Sequence, residues 1–121
     1  MARNGHSKEQ IKSYVAKTFN YDLDRTLASI RPSYTFNATC EGSVPESIIA
    51  FLESANFKDS IHKAISIGGD SDTIASMTAS ISHAFYKEIP TWMIIFCRRL
   101  LNPAQIQLID AFGAKFLSND K

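Results

Sequence analysis

Along most of this chain apolar residues recur at spacings of three and four, and no run alternates with period two. The pattern predicts an all-α protein, a helical bundle of about six helices. Ser7 with Gln10 reads as a capping box ahead of Ile11, Tyr14, Val15 and Phe19, one helix face that ends at Asn20-Tyr21-Asp22. A short helix from Asp24 turns Leu23, Leu27 and Ile30 inward and stops at Pro32. Residues 32–42 read as an irregular connection. Ser43 with Glu46 suggests a second capping box, with Pro45 in the first turn of a helix. Ile48, Ile49, Phe51 and Leu52 make that helix apolar nearly all round, hence buried. Residues 56–59 separate it from another helix striped by Ile61, Ala64 and Ile65.

Gly68-Gly69 breaks the pattern, and a helix opens at Ser71 or Asp72 and runs to about Tyr86. Its small residues, among them Ala75, Ser76, Thr78, Ala79, Ser80 and Ser82, suggest a central, tightly surrounded helix. Pro90 opens a further one over Thr91 to Leu100. Asn102 caps the last, with Pro103 in its first turn and Ile106, Ile109, Phe112 and Phe116 on one face. Without a repeat, low-complexity tract or clear boundary, residues 1–121 read as a single all-α domain or a fragment of one.

Composition narrows the partners. The 121 residues are 45% hydrophobic and 21% charged with a net charge of +1, ordinary for a globular protein and without the basic patch that nucleic acid or an anionic membrane requires. Cys40 and Cys97 lie far apart in no CxxC-like pair, which argues against a disulfide framework or a zinc cluster; both read as buried apolar residues. The first residues lack the apolar stretch of a leader, and the run Trp92 to Cys97 is too short to span a bilayer, so the expected location is cytoplasmic. His6, His62 and His83 read as surface or groove residues. Phe85, Tyr86 and Trp92 could stack on an adenine, but at helical spacing they read as core.

Chemistry concentrates in Gly68-Gly69-Asp70-Ser71-Asp72-Thr73. The glycines allow a sharp turn. The two carboxylates and the Thr73 hydroxyl are hard oxygen donors of the kind magnesium and manganese prefer. Asp72 or Ser71 acting only as a helix cap explains the same residues without any metal. An EF-hand would need Glu at its twelfth position, where counting from Asp70 gives Ile81, and no Lys follows the glycines as a P-loop requires.

This hexad resembles the signature near the C-terminus of the ADP-ribosylglycohydrolase family. The likeness continues upstream through Gly42-Ser43-Val44-Pro45 and Ile48-Ile49-Ala50-Phe51-Leu52. Downstream it runs through Ile74-Ala75-Ser76-Met77 and Ala84-Phe85-Tyr86 to Ile89-Pro90. The resemblance implies an all-α fold with a dinuclear magnesium (or manganese) centre and metal-assisted hydrolysis of the bond between ADP-ribose and an acceptor, protein or small molecule. It makes Asp70, Asp72 and Thr73 metal ligands and puts Gly68, Gly69 and Ser43 beside the substrate. Two ions about 3.5–4 Å apart are a common arrangement for positioning substrate and activating water. His83 and Lys87 depart from the family's pattern after the small-residue helix.

Family members are longer, and their N-terminal part carries a Thr-Asp-Asp cluster with the remaining ligands. Asp22-Leu23-Asp24 and Asn119-Asp120 are the close acidic pairs outside the loop, and neither has that form. The chain therefore reads as the C-terminal half of such a domain, with part of a metal site. Two expectations follow. One is exposed apolar surface, with a homo-oligomer or a complementing N-terminal fragment engaging helices 45–54 and 72–86. The other, from a different class, is a truncated non-catalytic remnant or a partner-binding helical module.

Overall fold

Capping chemistry decides where these helices begin. The computed structural model describes residues 1–116, which leaves Asn119-Asp120 outside the described residues. Seven α-helices follow one 3-10 turn at Ala2–Asn4, and no strand occurs among the described residues. The chain divides into two compact units, Met1–Glu88 and Ile89–Lys121.

In the first unit, α1 (Lys8–Phe19) starts at the expected capping box of Ser7 and Gln10 and ends at Asn20 in the left-handed conformation. The next helix, α2 (Leu27–Ile30), starts later than Asp24, because Thr26 and Ser29 form a capping box of their own. The Glu53 carboxylate takes its first amide, with Leu27 N donating over 2.8 Å. The core gathers Leu23, Leu27, Ile30, Ile48, Ile49, Ala50, Ala64, Ile67 and Ile74.

The third helix, α3 (Cys40–Glu53), corrects the reading of its start. Thr39, not Ser43, is the N-cap, and its side chain accepts from Gly42 N. Ser43 and Glu46 form no capping box. The Ser43 hydroxyl donates to Thr39 O over 2.7 Å, and Glu46 turns inward to an ion pair with Arg25. The sequence misled because Asn37 organises the true cap from outside the helix: its Oδ1 accepts from both the amide and the hydroxyl of Thr39, at 2.9 and 2.8 Å. Pro45 consequently lies inside the helix rather than in its first turn. Burial of α3 is as expected, unbroken from Pro45 through Phe51.

A further helix, α4 (Phe57–Ile65), begins at Phe57, inside the segment read as a separator, because Asn56 caps it and accepts from Asp59 N over 2.9 Å. The small-residue helix, α5 (Ser71–Tyr86), packs against α3 and α4 through Ile74, Thr78 and Ser82, spaced by four. Thr78 Oγ1 donates to Ser47 O over 3.0 Å, and both residues are fully buried, a close approach that small side chains permit. Only that face is enclosed, since Asp72, Thr73, Ser76, Ser80 and His83 are exposed.

Lys8 ties the start of α1 to the end of α3. Its ammonium donates to Leu52 O over 3.1 Å and to Ser54 O, and sits 5.1 Å from the Phe51 ring centroid. A cation there satisfies carbonyls that a helix C-terminus leaves open and meets the negative end of the dipole. Phe85 and Tyr86 pack edge-on against buried Phe51, with centroids 5.2 and 6.3 Å away, and are themselves half-buried at the edge of the core.

The second unit holds α6 (Thr91–Arg99) and α7 (Pro103–Phe116), and neither helix has a buried residue. Asn102 and Gln105 exchange two hydrogen bonds of 2.9 Å at the start of α7, as expected. Trp92 is 57% exposed, and Cys40 and Cys97 are both exposed, against their reading as interior residues. Cys40 occupies the outward first position of α3, and Trp92 and Cys97 lie on a helix that encloses nothing. The exposed large apolar side chains are not on α3 or α5; they include Tyr14, Phe19, Phe36 and Ile65 and cluster in α6 and α7. No helix among the described residues is long and apolar enough to cross a membrane.

Candidate functional site

The turn between α4 and α5 is made by two consecutive left-handed glycines, Gly68 at φ 82° and Gly69 at φ 64°. An L-residue pays steric cost in that region, so the pair of glycines is what lets the chain reverse here. Gly69 has a second constraint. A Cβ on it would lie 2.6 Å from Tyr34 Cε1 and 3.2 Å from Thr35 O, whereas one on Gly68 would meet open space.

Asp70 occupies the N-cap position of α5, yet its side chain makes no capping hydrogen bond. Ser71 Oγ reaches back to Gly69 O over 3.4 Å, and Asp72 Oδ1 accepts from Thr73 N over 3.0 Å. Asp70 makes no N-cap bond, and of the cluster only Asp72 takes a first-turn amide of α5. The Asp72 carboxyl sits below the usual carboxylate range, first through a hydrogen bond with the Asp70 side chain, then through the amides of Thr73 and Asp72 itself. Both carboxylates stand in the first turn of α5, at the positive end of its dipole. Thr73 stands beside them, exposed.

Three residues outside the hexad shape this region, and the sequence pattern did not single them out. Tyr34 Oη donates to Gly42 O over 2.6 Å while its ring backs Gly69. Burial raises its phenol pKa, and the charges of Glu46 and Asp70 add to the shift. Glu46 is 3% exposed; Oε1 accepts from Arg25 Nη1 over 2.7 Å, and Oε2 has no partner. Arg25, Tyr34 and Glu46 border a cavity of about 310 Å³ together with Ser33 and Asn37. A buried Glu opposite an Arg twenty-one positions away carries no local spacing signal. Tyr34, in a segment without periodicity, carries none either. Ser43 is buried with its hydroxyl committed to Thr39, and no hydrogen bond joins it to the Gly68–Thr73 turn.

As a metal site the donor set suits a hard divalent ion in kind: two adjacent carboxylates and a hydroxyl. It falls short in number, because no group of three or more His, Cys, Asp or Glu side chains able to hold a metal occurs among the described residues.

The described residues form an all-helical chain with an oxygen-rich turn at the head of α5. The family model for ADP-ribosylglycohydrolase matches residues 4–116, and the chain belongs to that family. Curated proteins and solved structures gave no match.

Proposed function

We propose that this chain supplies part of a divalent-metal centre for hydrolysing the glycosidic bond between ADP-ribose and an acceptor, with Asp70, Asp72 and Thr73 as its ligands. The observation that carries the reading is Asp70: a carboxylate at a helix start that makes no cap bond and stands two residues before a second, exposed carboxylate, Asp72. Two like charges side by side at a solvent-facing turn gain little from each other, and a bound cation would relieve them. Magnesium or manganese, when bound, polarises sugar oxygens and lowers the pKa of a coordinated water. The helix dipole opposes a cation at this end, so both carboxylates are needed to make the site attractive. The Thr73 hydroxyl adds a neutral oxygen, and the glycine pair backed by Tyr34 holds the turn in position. Membership of the family supports the reaction class.

A second reading, a non-catalytic remnant or partner-binding helical module, is favoured by the short donor set among the described residues. Incubating the chain with an ADP-ribosylated protein and magnesium or manganese, and measuring free ADP-ribose, separates the two. Release that disappears in Asp72→Ala supports the hydrolase. Metal binding without release supports the second reading.

A further inference from the structure

The second unit is a helical hairpin without an interior of its own. Arg98 and Asp110 clamp its helices together through paired hydrogen bonds of 2.8 and 2.9 Å. Phe96 on α6 and Leu100 at its C-cap lie four apart, and Leu108, Phe112 and Phe116 lie four apart on α7. Each set forms one stripe of a helix. Arg98 is two residues beyond Phe96 and Asp110 two before Phe112, which puts the clamp on the other side of each helix at 3.6 residues per turn. The stripes are open: Phe96 is 59%, Leu100 72%, Leu108 72%, Phe112 56% and Phe116 55% exposed.

We infer that this hairpin is a self-association surface, and that its occupant is the hairpin of a second copy, the two completing a four-helix bundle. The first argument is area. With Trp92, four before Phe96, and Ile109, at 57% and 50% exposure, seven apolar side chains lie open along the two stripes. At roughly 150–250 Å² for a whole large side chain, they present on the order of 800 Å², about what each partner contributes to a standard stable interface. The second argument is charge. Between 89 and 116 the charged residues are Arg98, Arg99, Asp110 and Lys115. Arg98 and Asp110 neutralise each other, which leaves two separate positive charges, Arg99 and Lys115, the latter 5.2 Å from the Phe116 ring centroid. No strong field of one sign repels a second copy or demands an oppositely charged partner. The third is geometry. A two-helix hairpin that pairs by a two-fold axis buries both stripes at once with a self-complementary contact.

The test is analytical ultracentrifugation of the full chain across micromolar concentrations, read beside the emission of Trp92, the single tryptophan. The hairpin dimer gives twice the 13.5 kDa chain mass, with Trp92 emission shifting to the blue as concentration rises. Phe112→Glu and the milder Leu100→Lys shift the mass to monomer with far-UV helicity kept, while Phe19→Glu, on exposed α1 surface, leaves the dimer intact. A wild-type chain that stays monomeric at the highest concentration overturns the proposal. So does a dimer that survives both hairpin substitutions with Trp92 emission unchanged.

Discussion

Tyr34 is the wall against which Gly69 is fitted: its Cε1 atom occupies space 2.6 Å from where a Cβ on Gly69 would stand. The ring comes from the irregular segment before α3 and is anchored by the hydroxyl on Gly42 O. The turn that presents Asp70 is thus held from outside as well as by its own glycines. Gly68→Ala is expected to cost the left-handed strain alone, roughly 1–2 kcal/mol. Gly69→Ala adds a clash with Tyr34 and is expected to cost clearly more. Urea unfolding of both, with and without Tyr34→Ala, checks this. Equal losses at the two glycines, or no coupling to Tyr34, would remove the wall.

Asp70 and Thr39 hold the same position at the heads of α5 and α3 but do different work. Thr39→Ala removes a true cap and should destabilise by about 1 kcal/mol. Asp70→Ala removes no cap bond and separates two neighbouring carboxylates, so the expected loss is under about 0.5 kcal/mol. Chemical denaturation at low salt decides it, and a loss at Asp70 matching that at Thr39 would return the residue to a capping role.

Glu46 is buried opposite Arg25, with one oxygen unpartnered. Truncating Arg25 to Ala leaves that carboxylate uncompensated, at an expected cost of about 3 kcal/mol. Arg25→Met combined with Glu46→Met should recover much of the loss, because an apolar pair needs no partner. A double variant as unstable as Arg25→Ala would contradict this, and thermal melts measure it.

Asp59 gives the acid limb of stability. Its carboxylate takes Lys63 Nζ at 2.6 Å and Ala55 N at 2.8 Å, and the hydrogen bond from Lys63, then that from Ala55, holds its pKa below the usual value. A folded-state pKa below the unfolded one makes stability complete above the unfolded value, about pH 4, and lost as pH falls through the lower folded value. The side chain is 31% exposed, so the contribution is under about 1 kcal/mol. Asp59→Asn should flatten the stability profile below pH 4 relative to wild type; an unchanged acid limb would speak against it.

How far the sequence could be read depended on whether its signals were local. Ser7–Gln10 forms the capping box its spacing predicts, and Asn102 caps α7 as expected, its partner Gln105 again three residues on. Ser43–Glu46 has the same spacing and fails, because Asn37 and Thr39 set a cap one turn earlier and Arg25 draws Glu46 inward. Spacing reports opportunity, and tertiary partners decide whether it is taken. The hexad was visible because its residue types are unusual together. Tyr34, which braces it, and the buried Arg25–Glu46 pair join residues distant in sequence, which no local spacing encodes. In α6 and α7 the periodicity predicted helices correctly, but the interior reading of Trp92 and Cys97 failed, since an apolar stripe states only that something should cover it.

The central claim is that Asp70 and Asp72 hold a divalent ion. Titrating the full chain into Mn²⁺ and following the free-ion electron paramagnetic resonance signal tests it without reference to turnover. A half-site predicts measurable loss of the free-ion signal, weak for the chain alone and stronger with ADP-ribose present, and a drop in affinity of tenfold or more in Asp70→Ala and Asp72→Ala with helicity unchanged. Mn²⁺ that stays free under both conditions, or binds the two variants as well as wild type, would contradict it.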